Sequence, residues 1–139
     1  MKLDFEITNL DMVIRDIEEA LTDDLRPGLE KACALVERTA KEKAPKDTGA
    51  LRRSITSEVR EENGDLIGVV FTPLEYAPYV EYGTGKWAEG GNGRKDVPWS
   101  YEDDEGEWHT TYGQKPQPFM RPALNENREK ILRLLAREI

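Results

Sequence analysis

The chain holds a single cysteine and a single histidine, so chemistries that need either in groups are closed to it. Cys33 has no partner for an internal disulfide, and His109 has no second soft ligand with which to build a structural zinc site. Cys33 is expected inside a helix that faces the core, and His109 on the face of a hairpin. No apolar run approaches the ~18 residues that span a bilayer, which excludes a membrane-spanning helix. The opening MKLDFEITNLD lacks the apolar core of a signal peptide, and the expectation is a protein made in the cytoplasm. Positive charge is in deficit, 20 Lys and Arg against 28 Asp and Glu, for a net charge of −8. An adhesive surface for a nucleic-acid backbone must be cationic, so no specific nucleic-acid binding is expected. There is no internal repeat and no low-complexity tail.

What remains is a chain of 139 residues, 37% hydrophobic and 35% charged, which suits one domain over residues 1–139 with a folded centre and a charged exterior. In KLDFEI, Leu3, Phe5 and Ile7 alternate with charged residues, the two-residue period of a half-buried strand. From Asn9 to Lys43 the apolar positions Leu10, Val13, Ile14, Ile17, Leu21, Leu25, Leu29, Ala32, Cys33, Val36 and Ala40 recur every three or four residues. That spacing predicts a long helix with one stripe turned to the core. Pro27 lacks an amide donor, so DDLRPGLEK is expected to hold a kink or a break between two helices, with Pro27 early in the second. The helix should end before Pro45. Asp47-Thr48-Gly49 then turns the chain, with Asp47 or Thr48 able to cap a short helical turn running to Ser54.

Two hairpins follow. Ile55, Ser57 and Val59 alternate, as do Ile67, Val69 and Phe71, on either side of Asn63-Gly64. A two-residue turn would place Val59 opposite Gly68 and set Ile67 against Arg60. A three-residue loop from Glu62 to Gly64 instead pairs Val59 with Ile67 and Ile55 with Phe71, and is preferred because like faces like. In the second hairpin Val97, Trp99 and Tyr101 alternate, then Trp108, Thr110 and Tyr112, around Asp103-Asp104-Glu105-Gly106. A four-residue loop sets Tyr101 opposite Trp108 and Val97 opposite Tyr112, contacts of roughly 0.2–1 kcal/mol each. After Pro116 and Pro118 a final helix starts near Arg121, with Ala123, Leu124, Ile131, Leu132, Leu135 and Ile139 along one stripe. The fold class is therefore α+β, with a mainly antiparallel sheet packed against amino- and carboxy-terminal helices.

Several short motifs invite an enzymatic reading. DTGA at 47–50 is the tetrapeptide of aspartic proteases, yet it follows KEKAPK and precedes LRRS, the surroundings of a helix cap and not of an apolar strand. GGNGRK at 90–95 has glycines but no Gly-Lys-Ser/Thr ending, and reads as a mobile loop. EDDE at 102–105 lacks the alternating ligands of a calcium loop and reads as a solvated turn. No catalytic residue, metal or cofactor is expected. YAPYVEYGTG at 76–85 stands apart: as a short helix with Pro78 in its first turn and Gly83 at its end, it puts Tyr76, Tyr79 and Tyr82 on one face. Those rings pack on the sheet or, with the loop Thr84 to Lys95, form an interaction surface, and the two readings are compatible.

In order along the chain, APKDTGALRRSI at 44–55, YAPYVEYGTG at 76–85 and QPFMRPAL at 117–124 resemble the neck, or tail-completion, family of long-tailed bacteriophages and prophages, whose members are often labelled head-tail joining or minor tail proteins. The resemblance runs over roughly residues 10 to 139 and includes the acidic, tryptophan-bearing hairpin. No single motif is specific, but the set and its order are. The first nine residues and Pro27 have no counterpart in the pattern.

The resemblance implies a non-enzymatic virion subunit that assembles as a ring, expected to be hexameric, between head-completion proteins and the tail-terminator or tail-tube proteins. It would be assembled in the host cytoplasm and mature in the virion neck. The residues matched as structural motif are Asp47, Thr48, Gly49, Tyr76, Tyr79, Glu81, Tyr82, Gly83, Thr84, Pro118, Phe119, Arg121 and Pro122. Lys86, Trp87, Arg94, Lys95, Trp99 and Trp108 are the candidate interface residues. Two other classes compete: an acidic, DNA-mimicking inhibitor, which needs its acids on one face, and a hydrolase using Asp47 or the 102–105 acids, which needs a paired carboxylate in an apolar pocket.

Overall fold

A computed structural model describes residues 3–8, 11–16, 22–46, 49–89 and 96–136. They fall into two compact units, one of residues 1–74 with 119–139 and one of residues 75–118. In the first, four antiparallel strands lie in the order β1-β2-β4-β3: β1 is Leu3–Thr8, β2 Asp11–Asp16, β3 Thr56–Glu62 and β4 Asp65–Phe71. Three helices accompany them: α1 (Thr22–Lys43), α2 (Ala50–Ser54) and α4 (Met120–Ala136). The second unit holds α3 (Ala77–Tyr82), a single 3-10 turn at Gly85–Trp87, and a hairpin of β5 (Trp99–Glu102) with β6 (Trp108–Thr111).

The amino-terminal strand is where its alternation predicts it, pairing Phe5 with Ile14 of β2. The segment after it corrects the reading of one long helix from Asn9: residues 11–16 form a strand, with Met12 and Ile14 each 1% exposed. The helical stripe runs through Val13 and Ile14 and passes over Met12, whereas the two-residue spacing of Met12 and Ile14 is that of a strand's buried face. β4 settles the choice, since its inner edge needs a hydrogen-bonded partner and β2 supplies it from Met12 to Arg15. The helix proper starts at Thr22 and runs through Pro27. Pro27 lies near its amino end, so the expected break between two helices is absent. Leu25, Leu29, Ala32, Cys33, Val36 and Ala40 are all buried, as the stripe predicts.

The first hairpin takes the register that the sequence argument set aside. Glu62 pairs with Asp65, Arg60 with Ile67 and Val59 with Gly68, around a two-residue Asn63-Gly64 turn. Both turn residues have positive φ, 52° and 86°, the backbone that suits the twist of a tight hairpin. The error lay in treating β4 as a strand with one wet face. It is central, and Leu66 to Val70 are buried without a break, so hydrophobic side chains serve both faces and Ile67 can stand beside Arg60. Gly68 lies directly beneath α1: a Cβ there would overlap Cys33 Sγ and come within 3.1 Å of Leu29. On the opposite face Arg60 lies over the Phe71 ring, 5.6 Å from its centroid, and is bonded to Glu58.

α4 begins one residue earlier than expected, with Phe119 and Met120 fully buried at its start and Pro122 in its first turn, where no amide partner is lost. Ala123, Leu124, Ile131 and Leu135 line its inner stripe, whereas Leu132 is 41% exposed and Ile139 lies outside the described residues. Asn127, 3% exposed, occupies the same stripe. Its amide donates to Thr39 Oγ1 at 3.0 Å and to the Ala123 carbonyl at 2.7 Å, and Thr39 in turn donates to the Leu35 carbonyl at 3.0 Å. The Asn127 amide nitrogen and the Thr39 hydroxyl are thus both engaged in that seam, and Lys43 Nζ adds an ion pair to Glu126 at 2.7 Å.

Candidate functional site

Of the turn Asp47-Thr48-Gly49, Asp47 and Thr48 lie outside the described residues. Gly49 is the cap of α2, at φ 76°, and contributes no side-chain hydrogen bond. The short helix to Ser54 is present as expected.

The helix carrying the tyrosines is also present, with Pro78 in its first turn and Gly83 closing it at φ 83°. Its buried face consists of Ala77 and Glu81, both fully enclosed. Tyr76 is 44% and Tyr79 59% exposed, and Tyr82 is half-buried. That corrects the reading in which all three rings pack inward: helical spacing groups them on one face, and Tyr76 and Tyr79 look outward.

Of the loop expected from Thr84 to Lys95, residues 90–95 lie outside the described residues, and the first residues are hydrogen-bonded to the segment 112–114. Thr84 N–H donates to the Gln114 carbonyl at 2.9 Å, Gln114 N–H to Thr84 Oγ1 at 2.8 Å, and Lys86 N–H to the Tyr112 carbonyl at 2.8 Å. Gln117 N–H closes the same seam on the Val80 carbonyl at 2.8 Å. The two segments approach so closely that a Cβ at Gly85 or Gly113 would overlap backbone atoms of the other, which is why glycine stands at both. Within this seam Trp87 and Trp99 are half-buried, and Lys86 Nζ stands 5.5 Å from the Trp87 ring centroid. Arg94 and Lys95 lie outside the described residues.

The second hairpin is shifted by one residue from its expected register. Tyr101 faces His109 and Glu102 faces Trp108. Asp103 causes the shift. Its Oδ1 accepts the N–H groups of Glu105 and Glu107, each at 2.9 Å, and Oδ2 meets His109 Nε2 at 2.6 Å. The lengthened loop is thus closed by a side chain, which a count of hairpin residues does not reveal. The His109 ring stacks on Tyr101 with centroids 5.4 Å apart. The hydrogen bond from His109, then those from Glu107 and Glu105, hold the Asp103 carboxyl below the usual carboxylate range. Trp108, directly across from Glu102, is 68% exposed.

Asp103, Glu107 and His109 bring three ligand-type atoms within 4.8 Å of one another. All belong to the exposed hairpin tip, and the contacts just described account for Asp103 and His109 as parts of its turn. The 102–105 acids are on this exposed tip too and not around an apolar pocket, while Asp47, the other residue of the hydrolase reading, lies outside the described residues.

Composition alone did not single out Tyr101 and Tyr112, 45% and 51% exposed, as surface residues. Among the described residues, Tyr76, Tyr79, Tyr101, Trp108 and Tyr112 are the large exposed apolar side chains of the 75–118 unit, against Leu132 in the other.

Residues 11–83 match the family model described as "Bacteriophage HK97-gp10, putative tail-component", a span that covers β2, the helices α1 to α3 and the β3-β4 hairpin. No curated protein and no solved structure matches the chain. With more than half of its length in that match, the chain belongs to the HK97-gp10-like family of bacteriophage tail components, structural proteins of the virion.

Proposed function

We propose that the protein is a non-enzymatic neck subunit that joins head and tail, working as one copy in a ring that meets head-completion proteins on one side and tail-terminator or tail-tube proteins on the other. The observation that carries this reading beyond the family is the set of exposed aromatics in the 75–118 unit, on α3 and on both faces of the β5-β6 hairpin. Tyrosine and tryptophan are enriched at protein interfaces. Five exposed aromatics are concentrated in that unit. In a closed ring each contact is heterologous, one patch meeting a different patch, so a subunit needs at least two surfaces of unlike character. The net charge of −8 suits a lumen that DNA traverses without adhering, because like charges repel.

The test is to add purified protein to filled heads and to tails from a mutant phage lacking it, and to image the products. Joined infectious particles with a ring of this protein at the junction are expected. Heads and tails that join equally well without it would refute the neck assignment while leaving the family membership intact.

A further inference from the structure

The outer surfaces of α1 and α4 enclose a groove of about 520 Å³ that no feature of the fold requires. Its floor is apolar, made by Ala34 and Leu35 of α1 and Leu134 of α4; its rim is Lys31, Arg38, Lys130 and Arg133. On α1 these residues fall at positions 31, 34, 35 and 38, a second helical stripe beside the one that faces the sheet. All four rim residues are exposed, and none of the described residues lining the groove is acidic. Among the described residues, Arg38, Lys130 and Arg133 form no ion pair. A cluster of four cations on a chain of net charge −8 is a local reversal of sign.

We propose that this groove receives the acidic hairpin tip, residues 102–108, of a second copy of the chain. The complement is close in chemistry and in order. Glu102, Asp104, Glu105 and Glu107 are exposed carboxylates, Asp103 being engaged in its own turn. Glu102 and Trp108 are cross-strand partners, so the carboxylate and the 68% exposed indole project from the same face. An aromatic ring flanked by acids thus meets an apolar floor flanked by bases. The indole would cover Leu35 and Leu134 while the carboxylates meet the rim, and such complementarity fixes partner and register. Groove and tip are different patches on one subunit, which is the heterologous contact a ring requires. The inference rests on the ring reading above and supplies its contact. A nucleic-acid backbone is the other anionic occupant; the apolar floor and the acidic remainder of the chain disfavour it.

Sedimentation of the full chain over a concentration series, at low and high salt, reads the contact directly. The wild type is expected to associate, and to do so more weakly as salt rises. Arg38→Glu with Arg133→Glu, and separately Asp104→Lys with Glu105→Lys, should each weaken self-association about tenfold or more. Mixing the two variants, or combining all four changes in one chain, should restore it, since opposite charges then face each other again. Trp108→Ser should weaken it without affecting folding. Wild-type association indifferent to both reversals would discard this surface and leave the ring reading standing. A wild type monomeric throughout the concentration range at low salt would overturn the proposal. So would salt-sensitive capture of duplex DNA that Arg38→Glu abolishes, since the groove would then serve nucleic acid.

Discussion

Cys33 and Gly68 are matched to each other. Burial, with help from the nearby Glu37 and Glu30 charges, pushes the Cys33 thiol up to about 12, so no thiolate forms at physiological pH. The folded protein should therefore resist a chromogenic disulfide reagent at pH 8 and release its thiol only in denaturant; stoichiometric reaction of the native protein would contradict the buried placement. Gly68→Ala forces a methyl group onto Cys33 Sγ and Leu29. A loss of about 1–3 kcal/mol is expected from such overpacking. Cys33→Ala should recover part of it in a double-mutant cycle, measured by urea unfolding, whereas additive losses would mean the two positions do not touch. Sequence placed Cys33 in the core correctly through its helical spacing. It could not show why residue 68 is glycine, because that reason lies in a contact between segments more than thirty residues apart.

Among the elements, the two hairpins show how a turn is chosen. Asn63-Gly64 is legible as a tight-turn dipeptide, and the misjudged register came from assuming that β3 and β4 must each divide into a wet face and a dry one. The second hairpin depends on Asp103, whose folded carboxyl is held below its ordinary range. A depressed carboxylate stabilises the fold above its unfolded pKa, and that contribution disappears as pH falls through the folded value. Trp108 fluorescence and the amide signals of Glu105 and Glu107 are thus expected to report an intact hairpin at pH 5, with loss confined to strong acid. Asp103→Ala should loosen the same signals at neutral pH while β1 to β4 stay folded. A hairpin unchanged by Asp103→Ala would show that the strands and the Tyr101 to His109 stack suffice.

For the whole molecule, the consequential finding is which aromatics remain outside. Because Tyr76 and Tyr79 are exposed, Tyr76→Ala with Tyr79→Ala should shift the melting temperature little, as is usual for surface sites. If these rings belong to the assembly surface, the same variant should lose head-tail joining in the particle assay. A large fall in melting temperature would instead mean that the rings pack inside the protein. Variants at these exposed rings and variants in the buried core of the sheet-and-helix unit should therefore separate assembly from stability.

The sequence by itself determined the fold class, the amino-terminal strand, the buried stripes of α1 and α4, the short helix after Gly49, and the family, whose matched span takes in the motif at 44–55 and most of that at 76–85. Those features are local: a periodicity of two or 3.6, a proline, a glycine, a run of ten residues. Only the tertiary structure decided that residues 11–16 are a strand, that β4 is buried on both faces, that Tyr76 and Tyr79 look outward, and that Asn127 is held in the α1-α4 seam. Each depends on which distant segment lies alongside. A hydrogen-bonding edge or an apolar neighbour outweighs local preference there, because an unpaired backbone group or an empty space costs more than an unfavourable propensity.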